Sequence, residues 1–224
     1  MIELTPDECR VLGVLIEKEL TTPDQYPLSI NALLNGANQK NNRDPVTSIA
    51  ENDAFDAVES LRARSLVVRV ETPGQRVNRY RHNAKDVLRL RTGAIAILAE
   101  LLLRGPQTLG ELRGRASRMA PMDSLDAAKD FLRELMEHAD QPLAKMIPPS
   151  PGSRAERYVQ LLCPDLHPLD APATGSFAGF TETAPAAASL SQRVTALEAE
   201  VASLKLLVTK LATALGEPVE ATPK

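Results

Sequence analysis

A chain of 224 residues, 43% hydrophobic and 25% charged, has the balance of a globular protein with one large domain or two small ones. Aromatics reach only 3% and tryptophan is absent, so the cores are expected to be aliphatic, built on Leu, Val, Ile and Ala. A net charge of −3 with a pI near 5.7 excludes a globally basic nucleic-acid binder but leaves room for local basic patches.

No apolar run approaches the ~20 residues of a membrane span, and no signal-peptide core opens the chain, so a cytoplasmic protein without membrane contact is expected. TPDECRVLGVLIEKEL, residues 5–20, reads as the first helix. Thr5 and Glu8 have capping-box spacing, and Pro6 suits the first turn. Leu12, Leu15, Ile16 and Leu20 form its buried stripe with Cys9, while Glu8, Glu17 and Glu19 are expected on a solvated face. A short helix is predicted over Leu28–Asn35, then the polar loop ANQKNNRDP. Ser48 and Glu51 suggest a second capping box, opening a helix to about Arg64 that buries Ile49, Phe55, Val58 and Leu61. SLVVRVE and VNRYRH then flank a Pro-Gly turn, a β-hairpin signal.

The order repeats. Ala94–Leu103 is an apolar helix, Thr108–Ser117 a short one, and Ser124–His138 a third with Leu125, Ala128, Phe131, Leu132 and Leu135 as its core face. Leu143–Ile147 and Arg157–Leu162 flank a second Pro-Gly turn. PGQRVNRY at 73–80 and PGSRAERY at 151–158 punctuate the two copies, 78 residues apart, with Tyr80 and Tyr158 expected to pack from the return strands. Three helices and a hairpin, twice, is the order of two tandem winged helix-turn-helix domains. Their expected spans are 1–84 and 85–168. The fold class is thus mainly α with small β-hairpins.

An Ala/Pro-rich linker is read over 169–189, with no core to order it. Leu190, Val194, Leu197, Val201, Leu204, Val208, Leu211 and Leu215 then alternate steps of four and three. Val at a and Leu at d favour a parallel two-stranded coiled coil over 190–216, about 39 Å long at the helical rise. Arg193 with Glu198 and Glu200 with Lys205 supply the g-to-e pairs of a homodimer.

No P-loop, dinucleotide fingerprint, zinc motif or paired-cysteine motif occurs, so neither an enzyme, a cofactor nor a metal is expected. His82, His138 and His167 are scattered and read as surface or edge residues. Basic residues cluster instead. Nine stand against two acidic ones between Ser60 and Arg91, including Arg69, Arg76, Arg79 and Arg81. Arg104, Arg113, Arg115 and Arg118 stand against Glu111. Such patches pair with phosphates. Asn38, Gln39, Lys40 and Arg43 offer further groups to bases, phosphates or a partner backbone.

The third helices argue the other way. Glu51, Asp53, Asp56 and Glu59 lead the first; Asp126, Asp130, Glu134 and Glu137 outnumber Lys129 and Arg133 on the second. A recognition helix would present these to the DNA backbone. The function expected first is DNA binding of a regulatory kind, with contacts through the Arg-rich wings and the helix at Gly110–Arg118 and not through the third helices. A protein-interaction adaptor is the alternative.

YPLSINALLNGANQKNNRDPV at Tyr26–Val46 and LRGPQTLGELRGR at Leu103–Arg115 resemble the hallmark segments of the bacterial YceH-like family, a family of unknown function. The resemblance covers about Leu4–Pro164 and includes the RY of the second hairpin. It implies two tandem winged-helix domains and no established activity. The family's Asn-Gln-Lys loop falls on Asn38, Gln39 and Lys40, and its Gly-Glu-Leu-Arg segment on Gly110, Glu111, Leu112 and Arg113.

Overall fold

Helix α1 (Pro6–Thr21) begins where capping dictates. The Thr5 hydroxyl accepts from the Glu8 amide at 3.2 Å, and the Glu8 carboxylate accepts from the Thr5 amide at 2.7 Å. The computed structural model describes residues 2–71, 77–149 and 154–167, all within the first of two compact units, Met1–Thr174. Arg76, the linker and every heptad position lie outside the described residues.

Helix α2 spans Ile30–Ala37, two residues later than expected, because the Ser29 hydroxyl caps it. Helix α3 spans Glu51–Ala63. Its N-cap is Ala50 and no side chain caps it, so the capping box expected from Ser48 does not form. Ala54, Ala57, Val58 and Leu61, spaced i, i+3, i+4, i+7, fill its buried face. Phe55 lies one residue off that stripe and is exposed, correcting its expected burial. Strands β1 (Val67–Val70) and β2 (Arg79–His82) pair antiparallel, with Arg69 opposite Tyr80. Leu28 and Tyr80 exchange backbone hydrogen bonds of 3.0 and 2.8 Å on the other edge.

A single turn, α4 (Ala84–Val87), leads to α5 (Thr92–Arg104). A two-residue strand β3 (Gln107–Thr108) enters α6 (Leu109–Ala116), whose capping box is Thr108 with Glu111. Helix α7 (Leu125–Met136) is capped by Ser124. Leu125 is its first residue, ahead of the packed Ala128, Leu132 and Leu135, and is exposed where burial was expected. Strands β4 (Ala144–Ile147) and β5 (Arg157–Gln160) complete an antiparallel sheet in the order β3-β5-β4. The described chain is thus mostly helical with two small antiparallel sheets. Gln107 against Tyr158 repeats the bridge of Leu28 against Tyr80, and both tyrosines are buried.

The core is one cluster. Every residue of α5 from Gly93 to Leu103 is buried, as befits a helix apolar on all sides. It packs against α1, whose residues Glu8–Glu17 are also buried. Their close approach needs Gly13, where a Cβ would stand 2.9 Å from the Leu103 side chain. Cys9 and Cys163 are buried in this core and form no disulfide.

Candidate functional site

Charge placed inside an aliphatic core must be neutralised where it sits. Glu17 of α1 is buried, not solvated, and is met by Arg43 from the loop after α2 at 2.6 Å. Arg43 Nε also donates to the Gly36 carbonyl at 3.0 Å. Burial acts to raise the Glu17 carboxyl, but Arg43 and Lys18 outweigh it and hold the group below its ordinary value. Arg10, fully buried, donates to the Leu103 carbonyl at 3.2 Å and to the Pro45 carbonyl. Burial, with the neighbouring charge of Arg43, pushes its guanidinium down to about 10.

The second half carries the same device. Glu100, inside apolar α5, is bracketed by Arg104 at 2.9 Å and Arg118 at 3.2 Å. Nothing in the sequence reading assigned these roles to Glu17 and Glu100. For Glu100 the signal was present: one carboxylate amid AIAILAELLL lies in a helix too apolar to have a wet face. Glu8 is buried where it caps the helix, so of Glu8, Glu17 and Glu19 only Glu19 stays partly exposed. Glu19 accepts from His82, which is buried, as is His167. Burial lowers both imidazoles, against the opposing pull of Glu19 on His82 and of the Asp44 carbonyl on His167. Among the described residues no group of three or more His, Cys, Asp or Glu is arranged to hold a metal.

The candidate nucleic-acid contacts separate into two sets. Most are engaged within the chain. Arg43 is buried; Arg79 donates to the Pro27 carbonyl at 2.9 Å. Arg113 reaches the Met122 and Asp123 carbonyls at 3.3 and 3.2 Å, Arg115 the Gln107 side chain at 2.6 Å, and Arg118 the Glu100 carboxylate. Asn38 clamps Ile49 through both backbone groups, at 2.9 and 2.8 Å, and Gln39 donates to the Asn41 carbonyl. Lys40 and Arg81 are exposed, as is Arg69, which pairs with Glu71 at 2.7 Å.

The face of α3 has the opposite character. Glu51, Asp53 and Asp56 are exposed along it, and Glu59 pairs with Arg62 at 2.5 Å. A cleft of about 320 Å³ opens between the starts of α2 and α3 and the β2 strand, lined by Ile30, Phe55, Val77 and Tyr80. Among the described residues no helix is long and apolar enough to cross a membrane.

Comparison with known proteins places this architecture in company. The family described as "Protein of unknown function, DUF480" matches residues 4–166. A UPF0502 protein of Hahella chejuensis is 42% identical over 207 residues, 91% of this chain and 94% of its own. That of Geotalea uraniireducens is 49% identical over 174 residues, 77% and 78% of the two chains. One from Geobacter sulfurreducens is 44% identical over 205 residues, 91% and 90%.

Proposed function

The chain belongs to the DUF480 family of UPF0502 proteins, and on that premise we propose that it is a non-enzymatic protein-interaction adaptor built on two tandem winged-helix domains. The carrying observation is how its charges are used. Arg43, Arg79, Arg113, Arg115 and Arg118 spend their hydrogen bonds on the chain itself. The helix that a winged-helix protein would lay in the major groove instead offers carboxylates and an exposed Phe55. Winged-helix folds serve both roles, so the site decides.

Duplex DNA tests the reading. With the full chain at micromolar concentration and low salt, labelled mixed-sequence DNA is expected to show no saturable rise in anisotropy. The second reading, nucleic-acid binding through the wings, is favoured by exposed Arg69 and Arg81 on the first hairpin. It requires binding that falls steeply with salt and is lost in Arg69→Glu/Arg81→Glu.

Homodimerisation through Leu190, Val194, Leu197, Val201, Leu204, Val208, Leu211 and Leu215 completes the proposal, resting on the unbroken heptad spacing. Equilibrium sedimentation should give a dimer for the full chain and a monomer once residues from Leu190 onward are deleted. A monomeric full chain would contradict it.

A further inference from the structure

Helix α3 keeps one large apolar side chain out of the core. Phe55 is 44% exposed and Val77, beside it across the cleft, 63%. Ile30, buried Tyr80, Asn31 and Asn78 line the same cleft. Glu51 lines the same cleft one helical turn before Phe55, and exposed Asp56 follows directly. Neither Glu51 nor Asp56 has an ion pair among the described residues, whereas Glu59 one turn on is taken by Arg62. The surface therefore joins an exposed aromatic side chain to carboxylates that have no ion pair among the described residues.

We propose that this cleft docks a basic amphipathic segment of a partner protein, its apolar side chain seated between Phe55 and Val77 and its Lys or Arg side chains against Glu51 and Asp56. The inference rests on the adaptor reading and names the chemistry of the partner. Charge complementarity selects that occupant, because phosphates and acidic peptides meet the same carboxylates as repulsion. An aromatic at the centre of a cleft with a charged rim is the usual seat of binding energy in an interface.

The test uses the full-length protein and a fluorescein-labelled Leu/Lys amphipathic helical peptide, followed by anisotropy. Two comparison peptides carry Glu for Lys or Ser for Leu. The Leu/Lys peptide should bind saturably and neither comparison peptide should. Phe55→Ser and Val77→Ser should each weaken binding at least about tenfold, and Glu51→Lys should weaken it in a salt-dependent manner. Both apolar residues are exposed, so their replacement leaves the core intact, which a thermal melt checks. Equal affinity of wild type and both cleft variants, binding of the Glu peptide, or no binding at all overturns the proposal. If the peptide fails while DNA is also silent, only this docking site falls; saturable, salt-dependent DNA binding overturns the adaptor reading itself.

Discussion

Replacing Arg43 by alanine is expected to destabilise the fold by about 3–5 kcal/mol, the largest effect of any single charge removal in the described chain. Arg43 and Glu17 are both buried, 2.6 Å apart. Removing the guanidinium leaves the buried Glu17 carboxylate with only the partly exposed Lys18 at 3.4 Å and releases the Gly36 carbonyl. Urea denaturation would read the loss as a lower midpoint at unchanged slope. The double variant Glu17→Met/Arg43→Met removes both charges and should recover most of that loss, since the pair's worth lies in mutual neutralisation. The pH dependence has a definite sign. The folded Glu17 carboxyl lies below its ordinary 4.5, so its contribution is fully present above that value and is lost as pH falls through the folded value. In Arg43→Ala burial raises the Glu17 carboxyl with its main counterweight gone, so the acid-dependent loss this group contributes in wild type should shrink and the stability gap between the two proteins should narrow as pH falls. An Arg43→Ala protein as stable as wild type would contradict this account of the core.

Gly105→Ala should cost on the order of 3 kcal/mol. Gly105 ends α5 at φ 71° and ψ −152°, a region closed to L side chains. An added Cβ would also stand 2.6 Å from the His167 ring. That ring is fixed in turn, since its Nε2–H donates to the Asp44 carbonyl at 2.8 Å while the Asp44 amide bonds the Leu103 carbonyl at 2.9 Å. The turn, the loop after α2 and the end of the described chain are thus held together at one residue without a side chain. Thermal melts should show a drop of roughly 6–12 °C. Gly110→Ala is the matched control, since its Cβ meets nothing within 4 Å and should be neutral.

Local chemistry was legible in the sequence. The cap at Thr5, the helix starts near Thr108 and Ser124, the strands around the first Pro-Gly turn, and burial of Tyr80 and Tyr158 follow from nearest neighbours. What local pattern misses is partnership across the chain. Glu17 looks solvated until Arg43, 26 residues on, is brought to it. Arg79, Arg113 and Arg118 look like phosphate ligands until the carbonyls and carboxylate they serve are placed beside them. Phe55 reads as a core residue because it stands three residues before Val58 and six before Leu61. Once α3 starts at Glu51 with its stripe on Ala54, Ala57, Val58 and Leu61, the same residue becomes the centre of an exposed cleft.

The most direct test of the central claim is a single anisotropy series in one buffer. The full-length protein is titrated against mixed-sequence duplex DNA and against the Leu/Lys peptide, from low to physiological salt. An adaptor working through α3 predicts a saturating peptide curve that collapses in Phe55→Ser, beside a flat DNA curve at every salt concentration. Saturable DNA binding whose affinity falls linearly in log–log with salt, and which is indifferent to Phe55→Ser, is the result that would contradict it.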